Sequence, residues 1–390
     1  MQRKFLTFGA PDIQQAEIDE VLDSLRSGWL GTGPKVTRFE HDFAAFKRVA
    51  PDQVVAVNSC TAALHLSLLA AQVGPGDEVI TTALTFCATV NAILHVGALP
   101  VLADVDPLTQ NIDPVDVARR ITSRTKALMP VHFAGRPCDM LALSKLAQQH
   151  GLVLIEDCAH ALEAEIDGQG VGTWGDFACF SFYATKNVTT GEGGMVLARD
   201  PEAAARIRRL SLHGMSADAW QRFGGSGYRH YQVADCGFKY NMMDLQAAIG
   251  IHQLARVKSS WERRQALWRA YQKALAGLAL ILPADPAPQT RHAHHLYAVQ
   301  VQTGAGGPER DAVLDAMTAH GIGVGVHYQS LAEHPYYQQR LGWSPEQWPC
   351  ALRLGRQTVS LPLMPQLQLE DQARVVAALK ASLHLGEAGS

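Results

Sequence analysis

Short apolar runs alternate with amphipathic stretches from residue 54 to residue 198. Runs of four or five residues rich in valine, isoleucine and leucine are typical of buried strands, and apolar positions that recur every three or four residues are typical of helices. The predicted strands are residues 54–57, 78–81, 101–105, 127–131, 153–157 and 195–198, and the predicted helices are residues 62–71, 85–94, 114–121 and 140–150. Such alternation predicts an α/β fold with a mostly parallel central sheet, whose ligands gather at the carboxyl ends of the strands.

The pattern changes near residue 242, where one or two long helices begin and extend to about residue 268. A segment rich in proline and alanine follows at residues 283–288. The elements predicted after it are a strand at 296–301, a helix at 309–319 and a strand at 323–327. This mixture predicts a smaller C-terminal α+β domain. We therefore expect a large α/β domain over residues 1–255 and a small domain over residues 256–390, with residues 1–20 as a candidate to pack on the small domain.

The composition is that of a large globular protein with balanced charge. The 390 residues are 47% hydrophobic, and 34 basic and 37 acidic residues give a net charge of -3. This balance gives no electrostatic reason to expect nucleic acid or an acidic membrane as a partner. No apolar run reaches the roughly 18 residues of a membrane helix, and the first residues lack the apolar core of a secretion signal. We therefore expect a cytoplasmic protein.

The cysteines and histidines do not form the patterns of a metal site. Seven cysteines are present, an odd number, and no two of them form a Cys-x-x-Cys pair. This argues against a disulfide framework and against a zinc thiolate site. The run Arg291-His292-Ala293-His294-His295 invites a metal interpretation, but no acidic or thiol ligand is near it in sequence. We therefore predict no metal and read these histidines as structural.

Residues 58–63 join a predicted strand to a predicted helix and are a candidate phosphate site. The small residues of this turn allow backbone N–H groups to approach an anion, and the free N–H groups of a helix N-terminus attract it. The hydroxyls of Ser59 and Thr61 can donate as well. The alternative is an ordinary helix cap that binds nothing.

Asp157 stands at the end of an apolar strand, where a parallel sheet presents groups to its ligands. A buried carboxylate at this place requires a cationic partner, because burial alone disfavours its charged form. A protonated pyridine nitrogen is such a partner, and the pairing would keep the ring able to accept electrons. The alternative is an aspartate that caps the following helix.

Lys186 closes the aromatic run Phe180-Ser181-Phe182-Tyr183 and precedes the glycine-rich turn at residues 191–194. A lysine in these surroundings is placed to lose part of its hydration. Desolvation lowers the pKa of a lysine and favours the neutral amine, which is the nucleophile needed to form an imine. The alternative is a surface lysine without a catalytic role.

The order of these segments resembles the DegT-type (StrS-like) sugar aminotransferases, which are pyridoxal 5'-phosphate (PLP) enzymes with the type I aminotransferase fold. The resemblance extends from about residue 12 to residue 363. The segments that carry it are 31–33, 59–65, 74–80, 156–157, the Lys186 segment with 191–194, and 237–242. Within the family, the chain is most similar to the type that makes UDP-4-amino-4-deoxy-L-arabinose, because His160 stands where many relatives carry glutamine. Tyr183 and Thr185 differ from that type.

The resemblance implies a role for each matching residue around the cofactor ring. Lys186 would hold PLP as a Schiff base and would move the proton between the substrate carbon and the cofactor. Asp157 would pair with the pyridine nitrogen, His160 would lie near the ring hydroxyl, and Phe86 would stack on the ring. For Phe86 the alternative is a core aromatic residue.

The resemblance also implies phosphate and substrate contacts. Ser181, Thr61 and the backbone amide of Cys60 would hold the phosphate. Asn241 would reach the phosphate of the neighbouring subunit, so that a homodimer with shared active sites is the functional unit; a helix cap is its alternative role. The candidate substrate contacts are Trp29, Thr32, His327 and Tyr328, and a structural role for His327 stays open.

The implied reaction transfers an amino group from L-glutamate to a nucleotide-linked keto-sugar, a 4-keto-hexose or a 4-keto-pentose. It would serve the biosynthesis of polysaccharide, lipopolysaccharide or glycoconjugates. The alternatives are a non-catalytic PLP-binding regulatory protein and the amination of a 3-keto-sugar or a cyclitol ketone. A PLP sugar dehydratase would carry histidine in place of Lys186. A nicotinamide oxidoreductase would carry a Gly-x-Gly-x-x-Gly turn, whereas residues 58–63 contain no glycine.

Overall fold

A computed structural model of the chain describes residues 5–215, 231–302 and 308–383. Thirteen α-helices and thirteen β-strands lie within these ranges. The helices are α1 (Gln15–Ser27), α2 (Pro34–Lys47), α3 (Cys60–Ala70), α4 (Cys87–His95), α5 (Pro114–Arg120), α6 (Met140–His150), α7 (Pro201–Ser211), α8 (Asp244–Ala255), α9 (Val257–Leu275), α10 (Arg310–Ala319), α11 (Pro335–Leu341), α12 (Pro349–Gln357) and α13 (Leu369–Leu383). The strands are β1 (Val54–Val57), β2 (Glu78–Thr82), β3 (Leu99–Ala103), β4 (Thr125–Met129), β5 (Val153–Asp157), β6 (Glu165–Ile166), β7 (Gln169–Gly170), β8 (Phe177–Ser181), β9 (Gly194–Ala198), β10 (Leu280–Ile281), β11 (Thr290–Arg291), β12 (Tyr297–Val301) and β13 (Thr358–Leu361).

Seven strands form the central sheet, in the order β1-β9-β8-β5-β4-β2-β3. Only β9 runs against its neighbours, β1 and β8, and the other pairs in the sheet are parallel. The carboxyl ends of β1, β2, β5 and β8 therefore meet at one edge of the sheet. The prediction of an α/β fold with a mostly parallel sheet is confirmed.

Alternate residues of the central strands pack on opposite faces of the sheet, as a sheet buried on both sides requires. On β8, Ala178 and Phe180 pack on one face, where Phe39 and Phe43 of α2 join them. Phe177 and Cys179 pack on the other face with the leucines of α3. This double cover explains why the strands read as continuous apolar runs in the sequence.

A second, antiparallel sheet lies in the C-terminal part of the chain, with strand order β10-β12-β13. Its apolar residues, among them Tyr297 and Val359, pack with Trp268 and Tyr271 of α9 and with Val375 of α13. Leu6 and Ala10 join the same cluster from the N-terminal segment. The predicted boundary at residue 256 falls between α8 and α9, and we propose it as the division between the two domains.

Residues 323–327 do not form the strand that the sequence predicts. Apart from a bridge between Gly325 and Ser360, this segment pairs with the N-terminal residues: Gly323 N donates to Leu6 O at 2.7 Å. The approach is so close that a Cβ on Gly323 would lie 2.8 Å from Phe8 N. The valines at 324 and 326 favour a strand in the sequence. In the structure, the close contact of Gly323 with Leu6 and Phe8 of the N-terminal segment takes the place of that strand.

Candidate active site

A cavity of about 500 Å³ opens at the carboxyl edge of the central sheet. Ten of the residues that the sequence predicts to contact cofactor or substrate line it, namely Ser59, Cys60, Thr61, Phe86, Asp157, His160, Ser181, Lys186, His327 and Tyr328. The ends of β5 and β8 and the segments after β1, β2, β5 and β8 carry most of them, whereas His327 and Tyr328 come from the segment after α10. Trp29, Thr32 and Asn241 lie outside this cavity in the single chain.

Asp157 ends β5 and is buried, with its carboxylate held at two points. Its Oδ1 accepts from Ala159 N at 3.1 Å, and its Oδ2 accepts from Thr89 Oγ1 at 2.9 Å. Thr89 in turn lies 3.1 Å from the hydroxyl of Thr85. Burial raises the pKa of Asp157 above its usual value, and the two hydrogen bonds and Lys186 only partly oppose this shift. A cation in the cavity would stabilise the charged carboxylate.

Lys186 follows β8 in a tight turn, in which its N–H donates to Tyr183 O at 2.9 Å. Burial lowers the pKa of Lys186 from 10.5 to about 8, whereas the nearby Cys60 and Asp157 act in the opposite direction. A larger fraction of this lysine is therefore the neutral amine near neutral pH than of an ordinary lysine. The nucleophilic amine of Lys186 and the buried carboxylate of Asp157 therefore line the same cavity.

The N-terminus of α3 faces the same cavity. Ser59 caps the helix, since its Oγ accepts from Ala62 N at 3.1 Å, so the alternative of an ordinary cap holds for this residue. Cys60 and Thr61 occupy the first turn, where backbone N–H groups have no partner inside a helix. Gly194 of β9 lies against this turn, and a Cβ there would be 2.7 Å from Cys60 N. The turn and the adjacent Ser181 form a site suited to an anion.

His160 and Tyr328 are joined by a hydrogen bond whose direction the structure fixes. Ala134 N donates to His160 Nδ1 at 3.2 Å, so the proton of the neutral ring is on Nε2. His160 Nε2 lies 3.0 Å from Tyr328 Oη and therefore donates to it. Burial lowers the pKa of His160 well below its usual value, so the ring stays neutral. The hydroxyl proton of Tyr328 is left to donate to a ligand.

Phe86 and His327 border the cavity in different ways. The ring of Phe86 is 57% exposed, and its centroid lies 5.9 Å from that of Tyr328. An aromatic side chain this exposed beside a cavity is free to stack on a bound ring. His327 stacks on Phe8 and lies 2.9 Å from Ser360 Oγ through its Nδ1. Burial lowers the pKa of His327 to about 4, so it is a neutral contact.

The three remaining predicted residues cluster elsewhere in the chain. Thr32 Oγ1 donates to Met242 O at 2.5 Å and accepts from Asn241 Nδ2 at 2.6 Å. Trp29 is 48% exposed and lies with Thr32 in a surface groove next to α2. Their assigned roles in cofactor and substrate binding stay predictions, and the role of Asn241 requires a second subunit.

Thr89 and His295 are among the polar residues of the cavity that the sequence does not predict. Thr89 is one of several polar residues in a predicted helix, and nothing local marks it as a partner of Asp157. His295 is read only as part of a histidine run. In the structure, His292 and His294 stack on each other and pack near Trp268, whereas His295 alone lines the cavity.

One buried group beside the cavity, formed by His132, Glu156 and Cys158, has the composition of a metal site. The carboxylate of Glu156, however, already accepts from the backbone N–H groups of residues 172, 174 and 175 at 2.7–2.8 Å, besides a contact of 3.2 Å with His132. Its oxygens tie the loop after β7 to the sheet. This group is therefore structural.

The chain is similar to known proteins over nearly its whole length. The DegT/DnrJ/EryC1/StrS aminotransferase family matches residues 11–380. The spore coat polysaccharide biosynthesis protein SpsC of Bacillus subtilis is 46% identical over 377 residues, which are 96% of each protein. The aminotransferase TlmJ from Streptoalloteichus hindustanus has a similar structure, with a TM-score of 0.89, 34% identity, and coverage of 97% of this chain and 98% of that one. Spr1654 from Streptococcus pneumoniae, described as a sugar aminotransferase and solved in a PLP form, has a TM-score of 0.90 at 33% identity, with coverage of 97% and 98%.

Proposed function

The chain belongs to the DegT/DnrJ/EryC1/StrS aminotransferase family, and on that premise we propose that it transfers an amino group from L-glutamate to a nucleotide-linked keto-sugar. It is a PLP-dependent aminotransferase with the type I fold. The observation that carries the proposal is the cavity that the partly buried Lys186 and the buried carboxylate of Asp157 both line.

The cavity offers a chemically suitable partner for the pyridine nitrogen of PLP and another for its phosphate. A carboxylate whose charged form is disfavoured by burial suits a protonated pyridine nitrogen, and the first turn of α3 with Ser181 suits a phosphate. When bound, PLP supplies a ring that accepts electrons from the substrate carbon. The protein supplies the remaining elements, which are orientation, charge and a movable proton.

We assign the following work to the chain's own groups. Lys186 Nζ would hold the cofactor, and as a free amine it would remove and return a proton at the substrate carbon. Asp157 would supply the negative charge that a pyridine nitrogen requires, and Thr89 and Ala159 hold that carboxylate in place. Tyr328, oriented by His160, offers a hydroxyl proton to a ligand oxygen.

Two features support a sugar as the amino acceptor. SpsC is a protein of polysaccharide biosynthesis, and Spr1654 is described as a sugar aminotransferase. We propose a 4-keto-hexose or 4-keto-pentose on a nucleotide carrier, used for polysaccharide, lipopolysaccharide or glycoconjugate biosynthesis in the cytoplasm. The amination of a 3-keto-sugar or a cyclitol ketone by the same site is the alternative. Among the residues that the structure describes, no helix has the length and apolar character to cross a membrane.

A screen of UDP- and dTDP-linked 3- and 4-ketoses for glutamate-dependent amination tests this proposal. The visible absorbance band of the PLP-loaded enzyme should shift when glutamate is added, and one or more of the ketoses should restore it. A regulatory PLP-binding protein would show no response to glutamate. A response to glutamate without amination of any of these sugars would contradict the proposed acceptor class.

The low pKa of Lys186 predicts how the PLP-free protein takes up its cofactor. Because burial lowers this pKa from 10.5 to about 8, the reactive neutral amine appears as the pH rises through about 8. The rate of covalent reconstitution with PLP should therefore increase with pH and level off above a midpoint near 8. A midpoint near 10, as expected for a hydrated lysine, would show that Lys186 is not desolvated.

We propose that the enzyme is a homodimer that uses the exposed face of α1. Ile18, Leu22 and Leu25 are each at least 38% exposed and lie on one side of this helix, while its other side packs on α8. Trp29, at the end of the same surface, is also exposed. Apolar residues grouped in this way mark an interface, and Asn241 would reach the neighbouring active site from there.

Placing a charge on this face should dissociate the dimer. Leu22→Lys is expected to weaken self-association at least about 100-fold, because an unpaired charge would be buried in an apolar contact. Sedimentation velocity measures the effect, and Leu108→Lys is the matched control, since Leu108 is 67% exposed outside α1. If Leu22→Lys sediments as the wild type does, this face is not the interface.

A further inference from the structure

One loop positions two of the histidines that border the cavity, His160 and His295. Ala134 N donates to His160 Nδ1 at 3.2 Å, and Ala134 O accepts from His295 N at 3.1 Å. Gly135 O accepts from Ala293 N at 2.8 Å, which ties the chain before His295 to the same loop. The two imidazole rings consequently lie side by side, with their centroids 4.4 Å apart. His295 is therefore held in a fixed position in the cavity wall by these backbone hydrogen bonds.

Asn187, the residue after Lys186, fixes the protonation of His295. Its Nδ2 donates to both carboxylate oxygens of Glu163, at 2.9 and 3.0 Å, and to Ala293 O at 2.9 Å. The carbonyl oxygen of Ala293 can only accept, so the amide nitrogen must face it. The amide oxygen then faces His295 Nδ1 at 3.0 Å and can only accept. His295 therefore carries a proton on Nδ1.

The second ring nitrogen of His295 is left as a bare lone pair. Burial lowers the pKa of His295 well below its usual value, and His160 and Lys186 lower it further, so the ring holds a single proton. His295 Nε2 makes no hydrogen bond with any residue in the part of the chain that the structure describes. Since the residue lines the cavity, this acceptor is available to a ligand that offers a donor.

We propose that His295 is a substrate-binding residue whose unprotonated Nε2 accepts a hydrogen bond from a hydroxyl of the keto-sugar, with Asn187 and Glu163 as the positioning residues that fix its tautomer. This rests on the function proposed above. A lone pair repels carboxylate and carbonyl oxygens, whereas each hydroxyl of a sugar can donate. Tyr328, which also contacts His160, offers the complementary donor. His295 and Tyr328 together distinguish a keto-sugar that carries the hydroxyl from one that lacks it.

The tautomer can be measured without any substrate. In the wild-type enzyme with ¹⁵N-labelled histidine, the His295 ring is identified as the signal that His295→Phe removes. We expect a protonated Nδ1 and an unprotonated Nε2. Glu163→Gln keeps an acceptor for Asn187 and should give the same spectrum. A protonated Nε2 in the wild-type protein overturns the proposal.

The role in binding is measured with the ketoses that the wild-type enzyme aminates and with their singly deoxygenated analogues. His295→Phe should raise the KM for the hydroxylated ketose about 10-fold to 100-fold, because the hydroxyl loses its acceptor. The KM for glutamate should change less than about twofold. For the analogue that lacks the hydroxyl bound by His295, the KM should be the same in the wild type and in His295→Phe. His295→Gln, which keeps an acceptor, should recover part of the loss.

The outcomes separate this inference from the proposed function. If wild type aminates a ketose and His295→Phe matches it on every hydroxylated substrate, the inference is wrong and the function stands. If His295→Phe raises the KM for glutamate as much as the KM for the ketose, His295 supports the structure of the site and does not bind the sugar selectively. That result also contradicts the inference. If the wild type aminates none of the ketoses, both fall together, whatever the tautomer.

Discussion

Lys186→Ala is expected to give a folded protein that binds PLP without a covalent bond and loses at least about 10³-fold in transamination rate. The lost amine is both the group that attaches the cofactor and the general base that moves the proton, and a positioned acid or base alone contributes roughly 10²–10⁴-fold. The turn around residue 186 is held by a backbone hydrogen bond to Tyr183, so the fold should survive the substitution.

Borohydride reduction followed by peptide mapping measures this effect. Wild type should retain PLP on the peptide that contains Lys186, and the variant should retain none. Lys126→Ala is the matched control, since Lys126 is an exposed lysine of β4 away from the cavity, and it should be trapped as the wild type is. Reduction of PLP onto a different lysine in the wild-type enzyme would refute the assignment.

Asp157→Asn should lower the transamination rate by about 10²- to 10³-fold while PLP stays covalently bound. The amide has the shape of the carboxylate but lacks its charge, and removing one member of a buried ion pair costs about 3–5 kcal/mol. Its oxygen can still accept from Ala159 N or from Thr89. The protein should therefore fold normally, and the loss should fall on kcat more than on KM.

The single-turnover reaction with glutamate, followed by absorbance, isolates this loss from the sugar half-reaction. Asp315→Asn, at an exposed position of α10, removes a carboxylate without approaching the cavity and should react as the wild type does. A rate for Asp157→Asn within about threefold of wild type would mean that no cation in the cavity depends on this charge.

Much of this site follows from local sequence patterns, because the groups involved stand at ends of elements. Asp157 ends a strand that begins with three apolar residues, and Lys186 follows a strand with two phenylalanines and precedes a glycine turn. Positions of this kind can be recognised one segment at a time. In a parallel sheet the ends of strands meet, so the pattern also predicts that these residues share one cavity.

The remaining parts depend on contacts between distant segments and leave no local trace. Thr89 reaches Asp157 across 68 residues of sequence. Its helix, α4, begins at Cys87, two residues later than predicted, with Phe86 in an extended conformation as its cap. The protonation of His295 depends on Asn187 and Glu163, which are far from it in sequence. Gly323 fails to form a strand because the N-terminal segment occupies its side.

A crystal structure of the wild-type enzyme with PLP tests the central claim most directly. We predict electron density that continues from Lys186 Nζ to the cofactor, with the pyridine nitrogen within about 3 Å of an Asp157 oxygen. The phosphate should lie at the first turn of α3. A ring attached elsewhere, or one whose nitrogen faces away from Asp157, would contradict the account.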